Sequence, residues 1–377
     1  MSSNSSGANQ ESQNPKGWPS WLPIRSDLAS LTPYGAPQMG DVVALNTNEN
    51  PFPLSEELVN SMLQALGPVL HNLNRYPDRD AALLREKLAA YINTSHGSQI
   101  TKENIWVANG SNEVIQTLAL AFGERKILGF TPSYSVHPLI ARVVGSIWVE
   151  GKRNPDFTLN LKTALSEISE HKPSLTFITT PNNPTGTLLS LNEVEELAKA
   201  TALVSGLLIV DEAYEEFSVE PSAVSLIAKY PNLVVVRTMS KAFAFAGARV
   251  GYAVANPSVV NACLVTRLPY HLSSQTQAIA SVALDHASEL LAQVALLTSE
   301  RELIAAELSR MGYEVVASSS NFLMFKGFKE SATKAWEDLV DQGILIRDIG
   351  IDGYLRVSVG TPKENQRFLA AIAALRQ

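Results

Sequence analysis

The chain has 377 residues, enough for two or three domains at about 150 residues each, and its 45% hydrophobic and 18% charged make-up suits a globular protein with a substantial core. A formal net charge of −7 argues against a nucleic-acid or anionic-membrane surface, which needs a basic excess, although one or two buried arginines can still bind a small anion. The single cysteine, Cys263, excludes an internal disulfide and thiolate zinc clusters; burial in the core is the expected fate of that thiol, and no metal is expected.

The first 17 residues are rich in Ser, Asn, Gln and Gly and lack an apolar core, so they read as a tail and not as a signal peptide. No apolar run approaches the roughly 18 residues of a membrane helix, and cytoplasmic residence is the default expectation. The segment 45–53 has no helical period and is expected to pack between two domains. After Asn109-Gly110-Ser111-Asn112-Glu113 the spacing of Val114, Ile115, Leu118, Ala119 and Phe122 predicts a helix. The segments 175–180, 207–210 and 233–237 are short, β-branched and bounded by polar turns, as buried strands are. Between the first two, Ser190 and Glu193 form an S-x-x-E capping box ahead of Val194, Leu197 and Ala198.

This alternation predicts an α/β fold with a mainly parallel central sheet covered by helices on both faces. Ligands of such sheets bind beyond the C-terminal strand ends. From about Gln275 the pattern changes to a long helical region, then strands near 322–325 and 355–359, which read as a smaller α+β domain. The expected division is a flexible tail over 1–30, an arm or small-domain segment over 31–50, a large domain over 51–274 and a small one over 275–377.

Three polar clusters close three successive strands. Pro181-Asn182-Asn183-Pro184-Thr185-Gly186 follows the first, Asp211-Glu212-Ala213-Tyr214 closes the second, and Ser240-Lys241 follows the third, with Arg249 eight residues on. Each alone has an ordinary reading as a turn, a helix cap or a surface charge. Together they fit the chemistry of a pyridoxal-phosphate site. A lysine amine that condenses with an aldehyde needs a lowered pKa and a nearly dry pocket, which is the role read for Lys241. Asp211 is placed to keep a pyridine nitrogen protonated, so that the ring can act as an electron sink. Tyr214 and Asn183 would hold the phenolic oxygen of that ring. The helix start at Gly110, Ser111 and Asn112 offers backbone N–H groups to a phosphate, with Ser240 and Arg249 completing the cup.

The stretch Ser240-Lys241-Ala242-Phe243-Ala244-Phe245-Ala246-Gly247-Ala248-Arg249-Val250-Gly251 matches S-K-x-F-x-x-A-G-x-R-x-G, and with PNNPTG and DEAY the chain resembles the class I/II aminotransferases of fold-type I from about residue 34 to 360. Within them it is most similar to histidinol-phosphate aminotransferases of actinobacterial type, on Leu45-Asn46-Thr47-Asn48-Glu49-Asn50-Pro51, Asn74-Arg75-Tyr76-Pro77, Arg237-Thr238-Met239 and Leu355-Arg356-Val357-Ser358-Val359-Gly360. The resemblance implies a pyridoxal 5′-phosphate enzyme acting on glutamate/2-oxoglutarate and histidinol phosphate. It implies that Tyr134 stacks on the cofactor ring and that Tyr76 reaches the cofactor phosphate of a neighbouring subunit, hence a homodimer. It also implies that Arg356, assisted by Arg347, binds the substrate's anionic end, with Tyr34, Asn183 and Tyr270 as further substrate-pocket candidates. An aromatic amino-acid aminotransferase is the nearest rival reading. A pyridoxal-phosphate decarboxylase of a phosphorylated amino acid is a further one. A ligand-sensing regulator is disfavoured, because about 30 residues before Tyr34 leave no room for a fused DNA-binding module.

Overall fold

In the computed structural model, residues 17–31, 33 and 35–375 are described; residues up to Gly35 form one unit and those from Ala36 another. In the first unit a single helical turn, Ser26–Ala29, is held by the Trp18 indole N–H, which donates to the Ala29 carbonyl at 3.0 Å. Tyr34, a substrate-pocket candidate, lies outside the described residues.

The second unit opens with a two-residue strand, β1 (Val43–Ala44), and then builds a seven-stranded sheet. Its strands are β2 (Ile105–Ala108), β3 (Lys126–Thr131), β4 (Ile147–Lys152), β5 (Leu175–Thr179), β6 (Leu207–Asp211), β7 (Leu233–Thr238) and β8 (Gly251–Ala255). They lie in the order β2-β8-β7-β6-β5-β3-β4, with β8 antiparallel to both neighbours and the other pairs parallel. Every residue of β5 and β7 is buried, as expected of parallel strands covered on both faces. Successive side chains point to opposite faces: Val234 and Val236 join one core with Ile209 and Phe177, and Val235 joins another with Leu208, Val210 and Ile178.

Helices connect these strands. Ser111–Phe122 follows β2, Val136–Val143 follows β3, Leu161–His171 follows β4 and Leu191–Leu203 follows β5. The last begins at the capping box read in the sequence: Glu193 N–H donates to Ser190 Oγ at 3.3 Å, and Ser190 N–H donates to Glu193 Oε2 at 2.8 Å. Before the sheet, helix Glu56–His71 buries Leu58 and Met62 and packs against Ser274–Asp285.

The long helical region after Gln275 consists of two helices, Ser274–Asp285 and Ala287–Arg310, meeting at 74°. Among the described residues no single helix is long and apolar enough to cross a membrane. A second sheet follows, made of β9 (Glu314–Val315), β10 (Phe322–Lys326), β12 (Arg347–Asp348) and β13 (Tyr354–Ser358) in the order β12-β13-β10-β9, all antiparallel. Strand β11 (Ile344–Leu345) pairs in parallel with β1, which ties the start of this unit to its C-terminal region. Cys263 is buried, and burial pushes its thiol up to about 12.

Candidate active site

The C-terminal ends of β2, β3, β5, β6 and β7 deliver Gly110, Tyr134, Asn183, Asp211 and Lys241 toward the same edge of the large sheet. The polar clusters read along the sequence thus share one place because parallel strands end together.

At the end of β6, Asp211 is 2% exposed. Its Oδ1 accepts the Ala213 N–H at 3.2 Å, a local turn, while its Oδ2 lies 3.1 Å from His137 Nε2. His137 is equally buried and its ring stacks on Phe177 at 4.8 Å between centroids. Sequence reasoning assigned His137 no role. The available signal was its position three residues after Tyr134, which puts both on one turn, and the two rings do meet edge to face at 5.4 Å. The Tyr134 hydroxyl donates to Asn112 Oδ1 at 3.2 Å.

Gly110 opens the helix Ser111–Phe122 with φ of +83°, a conformation that favours glycine. A Cβ there would sit 2.5 Å from Arg249 Nη2, and one on Gly251 would sit 2.2 Å from the Ser111 nitrogen. Arg249 therefore lies across the helix start at a distance that only a bare backbone permits. It is itself in the left-handed region with φ of +55° and donates to the Ala246 carbonyl at 3.1 Å. Ser240 is buried and accepts the Thr238 hydroxyl proton at 2.9 Å.

Lys241 Nζ donates to the Thr47 carbonyl at 3.0 Å and stands 5.9 Å from the centre of the Tyr214 ring. Burial, then the positive charges of Arg356 and Arg249, bring its amine down to about 8 against the opposing pull of Glu49. An amine so placed carries an appreciable neutral, nucleophilic fraction near neutral pH. The Tyr214 hydroxyl accepts N–H bonds from Asn48 Nδ2 at 2.9 Å and from Asn183 Nδ2 at 3.3 Å. Asn183 Oδ1 in turn accepts from Arg356 Nη1 at 2.6 Å, and Arg356 Nη2 donates to the Asn46 carbonyl at 2.9 Å. Arg356 is buried on β13 with its guanidinium 5.1 Å from the Phe322 ring centre. Arg347, on β12, is its direct cross-strand partner, so two guanidinium-bearing residues face one register position. Like charges directly opposite each other oppose strand pairing unless an anion lies between them.

Tyr76 and Tyr270 are placed together, with rings stacked at 4.3 Å and an interplanar angle of 14°, and both are exposed, Tyr76 by 79%.

Behind Tyr214 lies a buried ionic cluster that composition could not reveal. Arg237 on β7 is 1% exposed and meets Glu216 Oε1 at 2.8 Å, Glu212 Oε2 at 3.5 Å, Glu215, and His96 Nε2 at 3.1 Å. One cation thus clamps the chain on both sides of Tyr214. Burial pushes the Glu212 and Glu216 carboxyls up, and burial with the Arg237 charge takes His96 down to about 4.

Residues 40–372 match the family model for aminotransferases of class I and II. The chain is 50% identical over 94% of its length to the histidinol-phosphate aminotransferase of Corynebacterium efficiens, of which it covers 95%. It is 51% identical to that of Mycobacterium sp. strain JLS, with 94% of each chain covered. A solved histidinol-phosphate aminotransferase from Sinorhizobium meliloti, in complex with pyridoxal-5′-phosphate, superposes with a TM-score of 0.81 at 22% identity, over 94% of this chain and 97% of that one, a likeness of fold.

Proposed function

The chain belongs to the class I and II aminotransferases, and on that premise we propose that it is a pyridoxal 5′-phosphate-dependent histidinol-phosphate aminotransferase, moving an amino group between glutamate/2-oxoglutarate and histidinol phosphate/imidazole acetol phosphate in histidine biosynthesis. The observation that carries the substrate reading is the cross-strand pair Arg347 and Arg356 beside Asn183, within a chain half-identical to two enzymes of that name.

The residues present fit the cofactor. A buried carboxylate, a buried amine and a helix start whose glycines leave no room for a Cβ are the donor set that a phosphorylated pyridine aldehyde requires. When bound, pyridoxal 5′-phosphate supplies an electron sink that lets a proton leave the substrate's α-carbon. Lys241 would hold the cofactor through its side-chain amine, and the same amine, when free, would move that proton as base and then acid. Asp211, oriented by His137, keeps a ring nitrogen protonated. Tyr214 and Asn183 hold the ring's oxygen, and Tyr134 covers the ring. Gly110, Ser111, Asn112, Ser240 and Arg249 hold the phosphate. Arg356 and Arg347 bind carboxylate or phosphate by forked hydrogen bonds, which is how one site can serve both half-reactions.

The enzyme acts as a homodimer in which Tyr76 reaches the partner's cofactor phosphate. This is supported by the exposed Tyr76–Tyr270 stack and by the exposed Leu70, Leu73, Val265 and Leu268. A division near residue 274 into a large cofactor-binding and a small domain is supported by the large sheet ending at Ala255 and the small one starting at Glu314.

The test is a single-turnover absorbance assay on cofactor-loaded protein, offered histidinol phosphate, phenylalanine and phosphothreonine in turn. Histidinol phosphate is expected to convert the bound cofactor far faster than phenylalanine. If phenylalanine reacts as fast or faster, the enzyme is an aromatic aminotransferase and only the Lys241 chemistry stands. Loss of carbon dioxide from phosphothreonine would instead identify a decarboxylase.

A further inference from the structure

Tyr76 is 79% exposed, yet the turn that follows it is firmly held. Asp78 closes that turn on itself: its Oδ1 accepts the Asp80 N–H at 3.0 Å and its Oδ2 the Ala82 N–H at 2.7 Å. Three successive carbonyls are then taken by side chains from other elements. Gln277 Nε2 donates to the Asp78 carbonyl at 2.9 Å, Arg267 Nη1 to the Arg79 carbonyl at 2.9 Å and Arg85 Nη1 to the Asp80 carbonyl at 3.3 Å. A backbone so engaged has little freedom left, and the exposed ring stands on a rigid base.

Arg267 joins this turn to the large sheet. Besides the bond to the Arg79 carbonyl, its Nη2 donates to Asp80 Oδ1 at 2.7 Å. Its side chain is 10% exposed, and its guanidinium lies 5.7 Å from the ring centre of Trp106 on β2. A planar guanidinium can do both at once, forking at its edge while its face rests on an aromatic ring. Three residues on, Tyr270 stacks on Tyr76. Next to it, His271 stacks on Trp106 at 5.0 Å between centroids, with Nε2 2.8 Å from the Val107 carbonyl. Residues 267–271 thus form a bracket between the Tyr76 turn and the strand that leads to Gly110.

We propose that Arg267 is a positioning residue that clamps the turn behind Tyr76 and so holds that ring in place for the cofactor phosphate of the partner subunit. Arg267 therefore serves the neighbouring site and not its own. Ordering a loose, exposed side chain at the moment of binding lowers affinity by roughly 2- to 10-fold, and a clamped turn has that ordering done beforehand. The inference rests on the dimer proposed above, with Tyr76 reaching across it, but not on the identity of the substrate.

The first measurement is cofactor affinity, by equilibrium dialysis, of the wild type, Arg267→Met, Tyr76→Phe and the double variant, each sedimenting as a dimer. Methionine still covers Trp106 but removes both donors to the turn. Tyr76→Phe is expected to weaken binding about 10- to 100-fold, the size of a hydrogen bond to a charged group. Arg267→Met is expected to weaken it roughly 2- to 10-fold, and to have no further effect once the Tyr76 hydroxyl is gone. The second measurement mixes Arg267→Met chains with an excess of Lys241→Ala chains. In such a hybrid the one site that keeps its lysine takes Tyr76 from the chain whose Arg267 is intact. Its cofactor concentration for half-maximal turnover is therefore expected to return to the wild-type value. An Arg267 effect that persists in full without the Tyr76 hydroxyl, or a hybrid that stays weak, overturns the proposal and leaves Arg267 a structural residue of its own subunit. If Arg267→Met does not fold or dimerise, Asp80→Asn, which breaks the same ion pair, takes its place in both measurements. A monomeric wild type, or wild-type affinity in Tyr76→Phe, would refute the reading of Tyr76 and the proposal with it.

Discussion

Lys241→Met in the cofactor-free protein is expected to be more stable than the wild type at neutral pH, and by a pH-dependent margin. The Lys241 amine is held at about 8 against an ordinary value of 10.5, chiefly by burial and then by the charges of Arg356 and Arg249. At about 1.4 kcal/mol per pH unit, burying the charged form costs about 3 kcal/mol. Methionine keeps the length without the charge but leaves the Thr47 carbonyl without its donor, which returns about 1 kcal/mol of loss. The net gain at pH 7 is thus about 2 kcal/mol. A folded-state value below the unfolded one means that the cost is full below pH 8 and shrinks as pH rises toward 10.5. Wild-type stability should therefore climb across that window while the variant's stays flat, so the two curves converge. Urea melts of both proteins, at equal protein concentration from pH 7 to 9.5, measure this directly. A variant less stable than wild type at pH 7, or a gap that does not change with pH, would refute the reasoning. The same variant should show no turnover and no lysine-linked absorbance.

Replacing His137 with Leu removes a hydrogen bond to a buried carboxylate, about 1.5–3 kcal/mol, and should lower kcat roughly 10- to 100-fold, with Asp211→Asn costing several orders of magnitude; a His137→Leu enzyme at full rate would show that Asp211 needs no such orienting partner. Gly251→Ala drives a Cβ to 2.2 Å from the Ser111 nitrogen and should weaken cofactor affinity severely, whereas Gly247→Ala, with open space around it, should match wild type in equilibrium dialysis; equal affinities for the two would contradict a phosphate-binding role for the helix start that β8 approaches so closely. Arg237→Gln leaves the buried Glu212 and the partly buried Glu215 and Glu216 without their cation and should cost about 3–5 kcal/mol at pH 7.5. Burial already pushes Glu212 and Glu216 up, so their cost should fall as acid protonates them, and urea melts at pH 5.5 should show partial recovery; no loss at pH 7.5, or no recovery in acid, would contradict the picture of a single cation holding the Tyr214 segment.

The large sheet and most of the cofactor-site candidates were legible in the sequence because the signals are local. A buried parallel strand is a short apolar run of fixed length, and the residue that ends it is read from the same stretch. Asp211 is the last residue of β6, and Asn183 and Lys241 follow β5 and β7 within a few residues, so finding the strand places the side chain at the ligand-binding edge. The capping box at Ser190 and Glu193 is legible for the same reason, since all its partners lie within four residues.

Tertiary structure alone decided which distant residues complete those side chains. His137 reaches Asp211 across 74 residues, Asn48 reaches Tyr214 across 166, and Thr47 meets Lys241 across 194. Nothing in the periodicity of either partner encodes such a bond, because a hydrogen bond between two strand ends depends on strand order in the sheet. The Arg237 cluster is a like case: a chain with ordinary charge content gives no sign that three glutamates gather about one buried arginine. Strand order also set Arg347 against Arg356, because β12 and β13 pair through a register fixed by the turn between them. Local sequence chose the chemical groups at the sheet's edge; long-range packing chose their partners, since hydrogen-bond geometry is settled only when segments far apart in the chain are brought within about 3 Å.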